Sequence, residues 1–463
     1  MVATIGLLAG LAFVLIVPPL GGYDEAVHYA RAYQVSQGQL IATHHGHELG
    51  GDLPVAMRTD LENVLISVNR LIGHRAHAPS SPASFLSHLG DRSARGREAF
   101  VNFPTSAVYS PVPYAPASVL MAIGRALGAS TMLLIYLGRL GSLLGTVGLL
   151  TLAARRMPTR ATSLMVVALL PVTIVQAAML SADGVTLALT LLVLALALRL
   201  AATPTADVSR AQLVELAAAT VALGFAKPPY ILVALALAIP WRRHAARVRG
   251  AIAGAVVGGF GAAAAWAAYA SHVYVTPALP VGLTGTARFA AYTHVNPHEQ
   301  EQYVLHHPRA FVRVVGTTLA KFPGQLAHDA VAQIPLWGLP AIFAILAVVP
   351  LVVSLLARDR ADDGGDRAPV VGVRSRVLLL ALAVATLLSL MFLAYVGWNA
   401  VHALRIEAFQ GRYLMPLIPL LIVALPTPKL SARFDRLTST AMVGAGSGAV
   451  LAAVAVALWI HLY

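Results

Sequence analysis

The chain of 463 residues is 58% hydrophobic and only 11% charged, with a formal net charge of +13 and a mean hydropathy of +0.73. A soluble domain carries roughly 25% charged residues, so a soluble globular protein is excluded and a polytopic membrane protein is indicated. The basic residues sit mostly in short loops between apolar runs, which suits membrane topology and not nucleic-acid binding; the absence of cysteine excludes disulfides, thiol catalysis and cysteine-based zinc sites.

About 20 apolar residues cross a bilayer as a helix. On that measure spans are predicted at 2–20, 131–153, 161–180, 185–202, 211–226, 228–241, 250–270, 337–356, 377–397, 413–427 and 438–460, about eleven in all. The first has no basic start and no small-x-small cleavage site, so it reads as a retained span and not a signal peptide. The pair flanking Lys227-Pro228-Pro229 is short on both sides. It is either two short spans or a broken, re-entrant element whose free backbone groups line a cavity.

About half of the 33 basic residues crowd short loops that include Arg155, Arg156, Arg242, Arg243, Arg374 and Arg376. By the positive-inside rule that side is cytoplasmic. The N-terminus is then inside, the C-terminus outside, and two long hydrophilic loops, 21–130 and 271–336, face out. The fold class expected is all-α and polytopic. It comprises an N-terminal membrane block (1–357), a flexible cytoplasmic linker (358–376) and C-terminal transmembrane helices (377–463). Within the first outer loop, Ala117 to Leu127 is apolar but too short to span, as for a segment lying on or dipping into the membrane. In the second, the stretch from His306 to Lys321 has apolar positions at helical spacing with Arg309, Arg313 and Lys321 among them, the pattern of an interfacial helix.

Candidate chemistry begins at Asp24-Glu25-x-x-His28. In a helix Asp24 and His28 share a face and Glu25 points about 100° away. Proximity would favour the charged forms of both Asp24 and His28, and a carboxylate with a titratable neighbour suits a general base. Acids at a helix N-terminus are also favoured by the macrodipole alone. Asp183 stands between two spans and either caps the next helix or contributes to a site. Lys227 either snorkels or binds an anion such as a lipid phosphate. Arg412, in Gln410-Gly411-Arg412-Tyr413, offers a planar fork matched to phosphate, or else anchors an aromatic belt. His44-His45-x-His47 lacks a carboxylate partner and reads as a solvated loop. No Walker, Rossmann or HExxH pattern is present.

Assembled in order, Asp24-Glu25-x-x-His28-x-x-Arg31, Tyr109-x-Pro-x-x-Tyr114, Gly138-Arg139-Leu140, Ser181-x-Asp183, Lys227-x-x-Tyr230 and Gln410-Gly411-Arg412-Tyr413 resemble a bacterial membrane-protein family of unknown function grouped with the GT-C glycosyltransferases. One departure is visible: a Gly-Trp-Leu-Asp-like segment expected late in the second outer loop reads Leu326-Ala327-His328-Asp329 here. The resemblance implies a sugar donor carried on polyprenyl phosphate, transfer on the outer face of a bacterial plasma membrane, and a catalytic carboxylate in the first outer loop. The acceptor would be a cell-envelope glycan or glycolipid, and the transfer inverting. Asp24 would be the base, Glu25 would orient the acceptor or a divalent cation, and His28 would support them. Lys227, Arg412, Gln410 and Tyr413 would hold the donor phosphate, with Asp183, Arg31 and Tyr230 behind them. The alternatives are a transporter or flippase for a lipid-linked glycan, and a non-catalytic assembly protein of the envelope.

Overall fold

The computed structural model describes residues 1–22, 24–55, 86–90, 97–275, 295–321, 324, 352, 371–407, 409–425 and 440–462. The predicted span at 337–356, most of the linker at 358–376 and the segment beginning at Leu326 lie outside these residues.

The protein is mostly helical. Helix α1 (Val2–Ile16) leads into α2 (Glu25–Ser36), and α3 (Ala115–Ala126) folds back on α4 (Thr131–Arg156). Ser130 caps α4 by accepting a bond from the Leu133 N–H, satisfying one of the first-turn donors that a helix leaves open. After α5 (Ala161–Ala168) the chain bends by 53° into α6 (Pro171–Ala178). Pro171 at the first helical position has no N–H to place, so the break falls just before it. Next come α7 (Asp183–Ala202) and α8 (Arg210–Ala226). The latter opens on a capping box in which Ser209 and Gln212 exchange side-chain and backbone bonds. Helix α9 (Ala246–Val273) packs along α8. Gly224 permits this, because a Cβ there would collide with the Gly259 carbonyl. Helices α10 (Pro297–His306) and α11 (Pro308–Lys321) precede α12 (Val373–Trp398), α13 (Ile418–Ala424) and α14 (Thr440–Leu462).

Among the described residues four helices (α4, α7, α9 and α12) are long and apolar enough to cross a membrane, and up to five spans result if α5 and α6 count as one. The other apolar segments at predicted spans, Val2–Ile16, Pro228–Trp241, Gly411–Ala424 and Val443–Trp459, are shorter helices. The expected count of eleven is not confirmed among the described residues, because length as well as hydropathy decides whether a straight helix spans. Burial sorts the long helices. The apolar window of α7 is 89% buried, against 28% for α9 and 33% for α12. Helix α7 is therefore the hub of the bundle, hydrophobic on all sides. Helices α9 and α12 leave Val257, Val377 and Val384 exposed, a surface suited to lipid.

Two departures from the expected elements bear on function. The stretch expected as the first outer loop contains a three-stranded antiparallel sheet, β1 (Thr43–His45), β2 (Glu48–Pro54) and β3 (Glu98–Asn102), with Thr43 opposite Gly50 and Gly50 opposite Asn102. Its first turn uses Gly46 at φ 64°, the left-handed conformation a tight hairpin favours. His44, His45 and His47 are exposed on it. Secondly, Pro228–Leu237 and Gly411–Leu417 are 3₁₀ helices. Ten residues is long for that geometry, and both segments carry prolines. The segments around Lys227, expected as two short spans or a broken, re-entrant element, are an α-helix that ends at Ala226 and a tight apolar 3₁₀ rod that starts immediately after the lysine.

Candidate functional site

The turn after α1 positions the first two acids. Leu20 (φ 60°) and Asp24 (φ 57°) both adopt left-handed backbone, a costly conformation for a residue such as leucine and a tolerated one for aspartate. Asp24 is thereby the N-cap of α2, and its carbonyl accepts the His28 N–H at 3.1 Å. Its neighbour points elsewhere. Glu25 is 1% exposed and forms a bidentate pair with Arg139, with Nε–Oε1 and Nη2–Oε2 both 2.7 Å. The Leu180 and Gly22 N–H groups donate to the same carboxylate. Arg139 spends its other donors on the carbonyls of Val14, Val17 and Pro18, so each of its N–H groups is bonded. This pair ties the end of α1, the start of α2, α4 and the approach to α7 together. Glu25, expected to orient an acceptor or a cation, has its oxygens committed to that joint and is corrected to a structural role.

Four charged groups converge beside it. Asp183 opens α7 without capping it; the Ser181 hydroxyl accepts the Asp183 N–H instead. Its carboxylate bridges two cations, with Lys227 Nζ 3.0 Å from Oδ1 and Arg412 Nε 2.9 Å from Oδ2. Arg412 also donates through Nη2 to Asp24 Oδ2 at 3.1 Å. The arginine side chain is 3% exposed and that of Asp24 is 55% exposed, so the Arg412 end of this contact is fixed while the Asp24 end faces water. Lys227 Nζ lies 4.0 Å from the Tyr413 ring centroid and 5.7 Å from that of Tyr109, close enough for cation–π attraction. The Tyr230 hydroxyl donates to the Tyr413 carbonyl at 2.8 Å, holding the two 3₁₀ segments together. Beneath the ion pairs a cavity of about 10 Å³ is lined by Asp183, Arg412, Thr173, Gln176, Tyr230 and Met415, roughly the room a single water needs.

His28 does not share charge with Asp24. Its Nδ1 and the Tyr114 hydroxyl are hydrogen-bonded at 2.7 Å, and its ring packs against those of Tyr109 and Tyr114. Burial lowers its pKa to about 4, against the opposing pull of Asp24 and Asp183, with Arg412 and Lys227 adding to the decrease. The expected charged pair is thus corrected to a neutral imidazole, because desolvation outweighs a partly hydrated carboxylate. Burial likewise pushes Tyr109 up to about 12 and Tyr114 upward, so both phenols keep their protons. Arg31 is fully buried and donates to the carbonyls of Tyr109 and Leu40 and to Gln34; it positions Tyr109 and stands apart from the ion pairs. Gln410 contributes its backbone, which accepts the Tyr413 N–H at 3.1 Å.

Asp24, Asp183, Lys227, Arg412, Tyr413 and Tyr230 therefore come together from four separate stretches, and Glu25 does not join them. Arg139, Tyr109 and Tyr114 were given no role by the sequence reading. An arginine eight residues into an apolar span was a usable signal, since ionisable groups inside a membrane are paired or functional. Among the described residues no group of three or more His, Asp or Glu side chains could hold a metal ion. Both acids of the cluster already face cations, a donor set that does not fit a divalent metal. Chemically the arrangement offers two buried cations for an anion and one exposed carboxylate next to them.

A sequence profile of a family described as "Predicted membrane protein (DUF2142)" matches residues 7–421. No curated protein and no solved structure matches the chain.

Proposed function

We propose that this chain, which belongs to the DUF2142 family of membrane proteins, is a GT-C-like glycosyltransferase acting on the outer face of a bacterial plasma membrane. It takes a sugar from a polyprenyl-phosphate donor and passes it to a cell-envelope glycan or glycolipid. The observation that carries the reading is the exposed Asp24 carboxylate bonded to the buried Arg412, with Lys227 one carboxylate away. Transfer with inversion needs those parts. The acceptor oxygen attacks the anomeric carbon as the bond from that carbon to the phosphate oxygen breaks. The acceptor proton passes to Asp24, and the polyprenyl phosphate departs with one more negative charge than it had as the diester. Fixed cations beside that oxygen favour the transition state over the ground state, because charge develops there. Arg412 and Lys227 fill that role; Tyr413 and Tyr109 shield the lysine from water, and Gln410 and Tyr230 set the backbone of the Arg412 segment.

The test is transfer from a panel of radiolabelled polyprenyl-phosphate sugars in proteoliposomes. Wild-type protein is expected to release polyprenyl phosphate, and Asp24→Asn to abolish release; activity retained in Asp24→Asn would remove the base assignment.

A second reading has its own support. Lys227 and Arg412 stand at the starts of interrupted apolar helices, as binding residues do in many transporters. Movement of an intact lipid-linked sugar between leaflets, with no polyprenyl phosphate released, would favour a flippase. Neither activity would leave an assembly role.

A further inference from the structure

Helix α11 has two contrasting faces. Val314, Val315 and Thr318 are buried, and Phe311 packs on Phe392 and Tyr395 of α12 with centroids 5.9 and 5.8 Å apart. On the opposite face Arg309, Val312, Arg313, Gly316 and Leu319 are exposed, Val312 by 68%. The packing sets the depth of the helix. Phe392 and Tyr395 lie six and three residues before Trp398, the last residue of α12, or about 9 and 5 Å along the helix at 1.5 Å per residue. Tyr395 and Trp398 mark an interfacial end of a span, with Arg374 and Arg376 at the other end. Phe311 thus meets α12 within about 10 Å of its C-terminal end, comparable to the roughly 5–10 Å by which an amphipathic helix resting on a membrane buries its apolar side.

We propose that α11 is a membrane-docking surface. Val312 and Leu319 enter the boundary between headgroups and acyl chains, and Arg309 and Arg313 bind the phosphates of anionic phospholipids in the leaflet at the Trp398 end of α12. Charge selects the occupant. Two exposed guanidinium groups flank an exposed valine, and the exposed face carries no acid, so an anionic lipid surface satisfies both parts at once. The arginines reach outward while their stems lie along the apolar flank.

The natural chain has no cysteine, which makes the test direct. Val312→Cys carries a nitroxide in full-length protein in nanodiscs, and His47→Cys, in the exposed turn of the sheet, is the water-facing control. Collision rates with oxygen and with a water-soluble nickel chelate are measured in phosphatidylcholine alone and in mixtures with phosphatidylglycerol. At position 312 the nickel rate should be several-fold below the control. It should fall further with phosphatidylglycerol, and that further fall should vanish in Arg309→Gln/Arg313→Gln. A label at 312 as open to nickel as the control overturns the docking. A shielded label that ignores phosphatidylglycerol, or responds equally in the double variant, overturns the anionic-lipid assignment. All four substituted side chains are exposed, so folding is not at stake.

Discussion

Arg412 Nη2 donates to Asp24 Oδ2 at 3.1 Å, joining residues 388 positions apart in the chain. The two ends of this bond are unlike: the arginine is buried and also pairs with Asp183, while the aspartate side chain is more than half exposed. An exposed carboxylate exchanges its partner for water at little cost, since such pairs contribute under about 1 kcal/mol. Asp24 is therefore free to meet a substrate while the cation stays in place.

Asp24→Asn is accordingly expected to leave thermal stability in detergent within about 1 kcal/mol of wild type. If Asp24 is the base, sugar transfer should fall by about 10²–10⁴-fold, the usual contribution of such a group. Parallel unfolding curves and transfer assays check the two halves separately.

Asp183→Asn should behave in the opposite way. Asp183 is the carboxylate shared by Lys227 and Arg412, and neutralising it takes that counter-charge from buried Lys227 and leaves Arg412 with the exposed Asp24. Removing one partner of a buried pair costs about 3–5 kcal/mol. A shifted unfolding midpoint should therefore accompany any loss of activity, whereas Asp24→Asn loses activity alone.

Glu25→Gln strands Arg139 among carbonyls with no counter-charge, and a similar loss of about 3–5 kcal/mol is expected. The double variant Glu25→Gln/Arg139→Met removes the stranded charge as well, and it should recover part of the lost stability. Single and double variants compared in one thermal series decide this, and a double variant less stable than either single one would count against it.

His28 predicts a pH response. Its pKa is near 4 in the folded protein against 6.5 in the free side chain. Between those values the unfolded chain binds the extra proton and the folded one does not, so stability rises with pH across the window. Above about pH 6.5 the neutral imidazole costs nothing. As the pH falls toward 4, this site should lose on the order of 3 kcal/mol. Unfolding of His28→Gln measured from pH 7 to 4 should lack that part of the decline.

Much of the helical framework was legible because membrane insertion writes itself into composition: long apolar runs at 131–153, 185–202, 250–270 and 377–397 became α4, α7, α9 and α12. The sheet at 43–54 and 98–102 was not, since β1 is very short, β2 carries adjacent glycines and β3 joins β2 from far along the chain. The 3₁₀ geometry of 228–237 was only half visible; prolines announce a break without saying what replaces the α-helix.

From the residues alone came the membrane class, the candidate acids and cations, and the spacing that sends Glu25 away from Asp24. Pairing was settled by the tertiary structure, because a charge takes its role from whatever desolvates and faces it. Arg139 claims Glu25 for a structural joint, Tyr114 and burial keep His28 neutral, and Asp183 gathers Lys227 and Arg412 beside the one acid of the cluster, Asp24, that is left facing water.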